Sequence, residues 1–282
     1  DDHITGVLSE HQAGRVLDLT GFAGIDAQAF ESLEPRQWPF GTDGVEQRPF
    51  ATGHFPTPDG RARFVPTPAR LPRQATSEEF PLILNTGRSR DQWHTMTRTA
   101  LSPVLNAHEP EPFIDAHAAD LVAAGLQPGQ IVRVASRWGS ALARLRTSGQ
   151  LQPGMVFMPM HWSGPFARLA RVGAVVNPAV DPVSGEPEFK HTPVRLQAWK
   201  SAWQGFLLTR AETALPDCDW FARTRLGWGT RWELGGETSP LPDRAWLLRQ
   251  LGEVAAGTEW IEYQDEAAGS YRAALLASGR LV

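Results

Sequence analysis

Short apolar runs separated by glycine and proline turns constrain the fold of residues 81–200 more than any other feature of the sequence. The unit Leu-Gln-Pro-Gly occurs twice, at residues 126–129 and 151–154, and a β-rich run follows each copy. Because Pro-Gly presets a tight turn, both copies are expected to lead into strands in equivalent ways. Several short strands with one helix among them indicate a closed β-barrel rather than a doubly wound sheet.

Three local patterns predict the elements of this barrel. Residues 81–87, Pro-Leu-Ile-Leu-Asn-Thr-Gly, are typical of a buried strand that ends at a glycine turn. Residues 112–126 predict a short strand followed by a helix, which Asp115 is expected to cap and Gly125 to close. Residues 130–148 alternate between apolar and polar side chains around a central turn, which predicts a β-hairpin.

The sequence on either side of this segment has a different character. Residues 1–80 are rich in proline and glycine turns and carry one helix signal, at residues 26–33, so we expect a loop-rich segment that belongs to a preceding domain. Residues 201–282 hold six of the eleven tryptophans, which are expected to act as packing anchors of a small α+β extension. The expected division of the chain is therefore 1–80, 81–200 and 201–282.

Composition excludes several classes of function. The net charge is −4, from 27 basic and 31 acidic residues, which argues against a general nucleic-acid binder. The single cysteine, Cys218, cannot form a disulfide within the chain or build a zinc or iron–sulfur site alone, and a cytoplasmic location is expected. No apolar run reaches 18 residues, so no membrane span is expected.

Residues 86–99, Thr-Gly-Arg-Ser-Arg-Asp-Gln-Trp-His-Thr-Met-Thr-Arg-Thr, are the candidate binding segment. They contain three arginines, which offer forked donors to phosphate oxygens, and five hydroxyl side chains. Gly87 would let a backbone N–H approach a ligand, Trp93 and His94 offer flat faces, and Asp91 could accept from a guanine-like edge. This set suits a phosphate-bearing molecule with an aromatic ring system. A solvated turn whose tryptophan fills the core would have the same composition.

Other binding motifs are missing from the sequence. It contains neither a P-loop nor a GxGxxG fingerprint, so neither a P-loop nucleotide site nor a standard dinucleotide fold is indicated. Its eight histidines form no HExxH arrangement, and a metal site made by the protein itself is not expected.

A family resemblance becomes visible when several segments are taken in order. Five segments, taken in order, resemble the molybdopterin dinucleotide-binding domain. This is the C-terminal domain of the bis-molybdopterin guanine dinucleotide oxidoreductases. The segments are residues 84–99, 115–140, 153–162, 176–190 and 191–196. The Trp-His-Thr form of residues 93–95 and the segment 55–64 most resemble the catalytic subunit of bacterial assimilatory nitrate reductases. Residues 228–236 and 271–282 resemble that subunit's C-terminal extension.

This resemblance implies a fold, a cofactor and a set of binding residues. The implied fold is a double-psi β-barrel, and the implied cofactor is bis-molybdopterin guanine dinucleotide, which carries molybdenum. The resemblance places His161 and Trp162 near the substrate funnel, and it implies neither a catalytic residue nor a metal ligand in this segment. The residues implied to bind the cofactor are Thr86, Gly87, Arg88, Ser89, Arg90, Asp91, Gln92, Trp93, His94, Thr95, Asn177 and Lys190.

The resemblance also implies an activity, the reduction of nitrate to nitrite in nitrate assimilation. The family's N-terminal cysteine motif, which holds a [4Fe–4S] cluster, and its molybdenum-ligand region are not in this sequence. We therefore expect this segment to be inactive alone and to work with the remaining domains and with an electron donor protein or reductase subunit. Two alternatives remain open, a formate dehydrogenase-like oxidoreductase and a non-catalytic β-barrel adaptor that binds partners through exposed tryptophans.

Overall fold

The described residues in the first part of the chain form turns, a 3₁₀ helix (Thr20–Phe22) and one short α-helix. The computed structural model describes residues 18–44, 48–66, 68–238, 242–252 and 256–282. They divide into two compact units on either side of the Arg70–Leu71 bond. In the first unit, helix α1 (Ala27–Glu31) begins where the Asp26 side chain accepts a hydrogen bond from the backbone N–H of Ala29 at 2.8 Å. The helix predicted at residues 26–33 is confirmed.

Six strands of the second unit close into a barrel. They follow the order β1-β5-β2-β4-β3-β6, and β6 returns to pair with β1. The pairs β1–β5 and β2–β4 are parallel, whereas the other neighbouring pairs are antiparallel. The barrel predicted from the sequence is confirmed. Its strands are β1 (Leu82–Gly87), β2 (Phe113–Ala116), β3 (Ile131–Ala135), β4 (Ser140–Thr147), β5 (Met155–Pro159) and β6 (Thr192–Ala198).

The barrel is stabilised by apolar side chains that fill its interior. Strands contribute alternate residues to this interior, as Leu82 and Leu84 of β1 do. Each fully buried leucine, isoleucine or valine side chain contributes about 1.5–3 kcal/mol. Because the sheet closes on itself, the barrel strands leave no unpaired edge. The most completely buried members of this core include Leu84, Ile114, Val132, Leu145 and Val156.

The two Leu-Gln-Pro-Gly turns have matching geometry. Gly129 and Gly154 have φ angles of 87° and 85°, in the left-handed region that favours glycine. Strands β3 and β5 follow directly, as predicted from the repeated unit. Their neighbours differ, since β3 lies between two antiparallel strands and β5 has one parallel and one antiparallel neighbour. The repeat therefore specifies the turns but not the pairing partners.

The helix after β2 begins later than the sequence predicts. A short helix, α2 (Pro103–His108), precedes β2, and α3 (Ala118–Ala124) follows it. The prediction that Asp115 caps α3 is wrong, because Asp115 lies within β2 and pairs with Arg146 at 2.8 Å. The cap is His117, whose Nδ1 accepts from the backbone N–H of the second helical residue at 3.2 Å. The predicted end is confirmed, since Gly125 closes the helix with a φ of 66°.

The remaining described residues form two small sheets and a helix. Trp220 and Trp232 are each at most 1% exposed, as expected for packing anchors, whereas Trp228 is 45% exposed and does not act as one. The described helices include none long and apolar enough to cross a membrane. The domain boundaries at residues 80 and 200 remain predictions. One sheet has the order β7-β9-β8 and the other β10-β11-β12, and the elements are β7 (Trp203–Thr209), β8 (Trp220–Leu226), β9 (Gly229–Gly236), α4 (Arg244–Leu251), β10 (Glu259–Asp265), β11 (Ser270–Ala277) and β12 (Arg280–Leu281).

Candidate functional site

The candidate site lies where two parallel strands end side by side. Gly87, the last residue of β1, is in register with Pro159, the last residue of β5. The backbone N–H of Met160 then donates to the carbonyl oxygen of Gly87 at 2.9 Å. Residues 88–99, here called the arginine loop, therefore leave the barrel next to the segment that begins at residue 160.

The buried side chain of His161 binds the backbone of the arginine loop at two points. Its side chain is completely buried, and its Nε2 accepts a hydrogen bond from the backbone N–H of Ser89 at 2.8 Å. Its Nδ1 lies 2.7 Å from the carbonyl oxygen of His94. A carbonyl oxygen can only accept, so Nδ1 carries the hydrogen and the ring is neutral. Burial, reinforced by the positive charge of Arg88, lowers the pKa of His161.

The arginine loop has a defined inner side. Met96 is buried in the apolar cluster that contains Phe113 and Trp162. Gln92 is also buried, and its Oε1 accepts from the Thr99 hydroxyl at 2.7 Å. The loop is therefore a packed structure rather than a solvated turn.

The backbone of this loop is strained at two residues. His94 and Met96 have φ angles of 42° and 61° without being glycine. Conformations of this kind cost on the order of 1–3 kcal/mol each and persist where surrounding contacts impose them. The hydrogen bond from His161 to His94 and the burial of Met96 are such contacts.

Arg88 and Trp93 form the outer face of the loop. Trp93 is 56% exposed, so it does not fill the core. The Arg88 guanidinium lies 5.7 Å from the centroid of the Trp93 ring, and the His94 ring meets the same indole edge-on at 4.6 Å. Among the residues that the structure describes, no carboxylate pairs with Arg88. A charged fork and a flat aromatic surface are thus presented together.

A second charged group on the loop is already paired. Arg90 donates to both oxygens of the Asp91 carboxylate, at 3.0 Å from Nε and 2.8 Å from Nη2. His108 of α2 donates to the same carboxylate from Nδ1 at 2.7 Å. The hydrogen bond from Arg90, with a further one from His108, lowers the pKa of Asp91. Sequence reasoning missed His108, which lies 17 residues further along the chain and outside any motif.

Lys190 reaches the end of β1 from another loop. Its ammonium group donates to the carbonyl oxygen of Thr86, a buried residue. The same nitrogen lies 3.9 Å from the position that a Cβ on Gly87 would occupy. Lys190 and Gly87 are therefore close enough for one ligand to contact both.

The side chain of Asn177, which the resemblance implies to bind the cofactor, is buried. It is only 2% exposed, and its amide donates to the carbonyl oxygens of Glu188 and His191 at 2.9 and 2.8 Å. Its Oδ1 accepts from the backbone N–H of Ala179 at 2.9 Å. These hydrogen bonds use both amide hydrogens of Asn177. They fix the loop that presents Lys190. Asn177 thus shapes the site from beneath.

His161 and Trp162 also lie in the interior rather than at a surface. Trp162 is 2% exposed and packs edge-on against Phe113 with 6.1 Å between ring centroids. Neither side chain reaches the surface of this chain. Their position supports the arginine loop, and it gives no support to a place in the substrate funnel. Thr95, by contrast, is exposed, and its hydroxyl lies 3.3 Å from that of Thr97.

Two side chains of the arginine loop have hydrogen-bonding capacity that the described residues leave unused. The Oγ of Ser89 and the Nε2 of Gln92 are buried and have no hydrogen-bond partner among the described residues. An unsatisfied buried donor costs about 1–3 kcal/mol unless a ligand satisfies it. A Cβ on Gly87 would lie 2.9 Å from Cε2 of Phe157, so glycine allows the close packing of this ring against the end of β1. The unpartnered hydroxyl of Ser89, close to the charges of Arg88 and Lys190, fits a phosphate-bearing group.

Comparison with known proteins identifies the barrel. Residues 82–193 match the family model of the molydopterin dinucleotide binding domain. The barrel is a molybdopterin dinucleotide-binding domain. The resemblance recognised in the sequence is thereby confirmed.

The relatives are longer proteins. A nitrate reductase from Klebsiella oxytoca is 36% identical over an alignment of 255 residues that covers 87% of this chain and 29% of that protein. A nitrate reductase from Shewanella frigidimarina (strain NCIMB 400) is 35% identical over an alignment of 217 residues that covers 68% of this chain and 23% of that protein. Acetylene hydratase from Pelobacter acetylenicus, a solved structure, covers 65% of this chain and 29% of its own length, with a TM-score of 0.47 and 18% identity. The chain thus spans less than a third of the length of the curated relatives it matches.

Proposed function

We propose that these residues are the cofactor-binding C-terminal part of a molybdenum-dependent nitrate reductase that serves nitrate assimilation. The observation that carries the proposal is the uncompensated Arg88 beside the exposed Trp93, on a loop of a molybdopterin dinucleotide-binding barrel. Relatives named nitrate reductase at 35–36% identity support the activity. The proposed cofactor is bis-molybdopterin guanine dinucleotide.

Each binding residue has a distinct task in this proposal. Arg88 donates to phosphate oxygens as a fork, and Lys190 supplies a point charge near the end of β1. Ser89 Oγ and Gln92 Nε2 add the neutral donors that lack partners among the described residues. Trp93 offers its exposed ring as a stacking surface, with the edge of His94 against it.

Asp91 is proposed to recognise the base. Its carboxylate is kept ionised by Arg90 and His108, and an ionised carboxylate only accepts hydrogen bonds. The guanine edge offers an N–H and an amino group as donors. Oδ2 of Asp91 already accepts from Arg90 and His108, whereas Oδ1 accepts from Arg90 alone and keeps a lone pair for one of these guanine donors. Arg90 is then a partner of Asp91 rather than a phosphate ligand.

This chain holds and orients the cofactor without providing a catalytic residue. When bound, the molybdenum group supplies two-electron transfer coupled to removal of one oxygen atom from nitrate. The proposed partners are nitrate, the remaining domains with a [4Fe–4S] cluster, and an electron donor protein in the cytoplasm. A buried Trp93 together with loop arginines that point to solvent would favour the adaptor alternative, and Trp93 is instead exposed beside Arg88.

Full-length protein provides the test of this proposal. Its cofactor would be released and identified by mass spectrometry, and nitrate reduction would be followed with a reduced viologen dye. We expect a guanine dinucleotide of molybdopterin and nitrate-dependent oxidation of the dye. Oxidation of formate without reduction of nitrate would contradict the activity, and a cofactor without guanine would contradict the assignment of the site.

A further inference from the structure

One imidazole ring holds both ends of the ligand-facing part of the arginine loop. His161 binds the backbone N–H of Ser89 through one nitrogen and the carbonyl oxygen of His94 through the other. A six-residue segment could extend to about 20 Å. Here its first and last residues both meet the same five-membered ring, so the segment 89–94 is folded back on itself above His161.

These two hydrogen bonds demand opposite properties of the ring nitrogens. Nδ1 must donate and Nε2 must accept, and only the neutral ring with its hydrogen on Nδ1 does both. A proton added at Nε2 would face the N–H of Ser89, so that hydrogen bond would be lost and two buried donors would oppose each other. The closed form of the loop therefore requires an unprotonated His161.

The charges around the ring favour this neutral state. The side chains that act electrostatically on His161 are those of Arg88 and His94, both positive when protonated. Asp91, the acidic residue of the segment, is held by Arg90 and His108. Burial is the largest influence and lowers the pKa of His161 in the same direction.

We propose that His161 is a positioning residue of the cofactor site, and that its neutral ring sets the arginine loop in the shape that binds the dinucleotide. This inference rests on the proposed function. The backbone N–H of Ser89 is bound by Nε2 of His161, and this is the clamped end of the segment. The unpartnered hydroxyl of Ser89 lies at this end and Arg88 is the adjacent residue, so the placement of both depends on the hydrogen bond to Nε2. Protonation of His161 would release that end and weaken binding.

The sign of the pH dependence separates this role from simple charge attraction. Positive charge gained near the ligand strengthens binding of an anion, so simple charge attraction predicts tighter binding as the pH falls. Protonation of His161 would weaken binding instead, because it breaks the hydrogen bond between Nε2 and the N–H of Ser89. Because the pKa of Asp91 is lowered and its carboxylate stays ionised, a loss of affinity between pH 8 and pH 5 indicates His161. The lowered pKa of His161 makes the closed loop most stable above the ring's unfolded pKa, and that stability is lost as pH falls through its folded pKa.

The probe is GDP-mannose, a guanosine pyrophosphate diester. It has no terminal phosphate, which would itself titrate near about pH 6. Calorimetric titration of the 282-residue chain from pH 5 to 8 would give the affinity, and NMR of the labelled imidazoles would give the pKa of His161 directly. The variants are His161→Gln, whose amide can accept and donate without titrating, His161→Ala, and His54→Gln as a control outside the site.

We expect the affinity of the unmodified chain to fall about tenfold per pH unit below the pKa of His161. In His161→Gln it should stay level or rise as the pH falls, and at pH 7.5 it should be within about threefold of the unmodified chain. His161→Ala should bind weakly at every pH, whereas His54→Gln should follow the unmodified profile. If His161→Gln does not fold, the unmodified profile and the NMR titration still decide.

Two results would overturn the inference in different ways. Binding of GDP-mannose with the same pH profile in the unmodified chain and in His161→Gln would exclude the positioning role and leave the proposed function standing. No binding at any pH, although His161 titrates with a lowered pKa, would overturn the proposed function and with it the role of the clamp in binding.

Discussion

Two groups of arginines in this chain have opposite surroundings. On β4, Arg144 pairs with Glu111 at 2.9 Å, and Arg146 pairs with Glu109 at 2.7 Å and with Asp115 at 2.8 Å. In the arginine loop, Arg88 has no carboxylate partner among the described residues. The first group is neutralised within the fold, and the second keeps its charge for a ligand.

The difference teaches that the number of arginines does not mark a binding site. Parallel pairing of β2 with β4 puts Asp115 beside Arg146, so the barrel supplies its own counter-charge. The loop has one acidic residue, Asp91, and this carboxylate already pairs with the adjacent Arg90. What distinguishes the loop is therefore the position of Arg88, which has no carboxylate partner among the described residues and lies against the exposed ring of Trp93.

Replacing Arg88 by alanine should have the largest effect on binding. Loss of a hydrogen bond to a charged group costs about 1.5–3 kcal/mol, which weakens binding by roughly 10- to 150-fold. The free energy of unfolding should change by less than about 0.5 kcal/mol, as for other surface substitutions. Calorimetric titration with GDP-mannose and urea unfolding measure the two quantities. Unchanged affinity would remove Arg88 from the site.

Replacing Arg146 by alanine should have the converse effect. The change leaves Glu109 and Asp115 without their partner and removes a guanidinium that lies 3.3 Å from the centroid of the Phe113 ring. We expect a loss of about 1–2 kcal/mol in the free energy of unfolding, because the group is partly exposed. Affinity for GDP-mannose should stay within about twofold. Arg137→Ala, which removes an exposed arginine, is the matched control for both arginine variants.

Replacing Lys190 by glutamine should weaken binding by a smaller amount. The ammonium already donates to Thr86, so part of its hydrogen-bonding capacity is spent within the protein. A loss of about 0.5–1 kcal/mol is expected, in the range of an exposed charge interaction. Lys200→Gln, in which the other lysine of the chain is changed, serves as the control. Equal affinities in the two variants would show that Lys190 makes no contact.

The smallest expected effect is that of salt, which should weaken binding by the loop arginines but leave the stability supplied by the β4 arginines almost unchanged. Exposed charges are screened over about 10 Å at 0.1 M ionic strength and about 3 Å at 1 M. Raising the salt concentration tenfold from 0.05 M should weaken GDP-mannose binding several-fold and should change the unfolding free energy little. A binding constant independent of salt would mean that the loop arginines do not contact phosphate.

Local patterns in the sequence were sufficient for much of the barrel. The strand at residues 82–87 and the glycine that ends α3 follow from hydrophobic spacing and turn chemistry. The capping role of Asp115 could not be judged locally, because its side chain is taken by Arg146, 31 residues away. The clamp by His161 escaped prediction for the same reason, since it joins residues 72 positions apart and no local pattern marks such a pair.

The buried amide of Asn177 shows a further limit of reading side chains by type. An asparagine before proline offers a donor and an acceptor, and the family resemblance suggested that the cofactor uses them. In the structure the backbone at residues 179, 188 and 191 uses them instead. Residue type indicated the right loop, but which atoms face the ligand depends on tertiary hydrogen bonds.

The closure of the barrel has a consequence for the order of events during synthesis. Ile83 pairs with Met155, and Leu82 pairs with Val194. Partners separated by about 70 and about 110 residues meet late, since loop closure must precede their contacts. The barrel that carries the arginine loop is therefore incomplete until β6 has been synthesised and has paired with β1 and β3. A chain that stops before residue 192 would lack β6, and we expect it not to hold the dinucleotide.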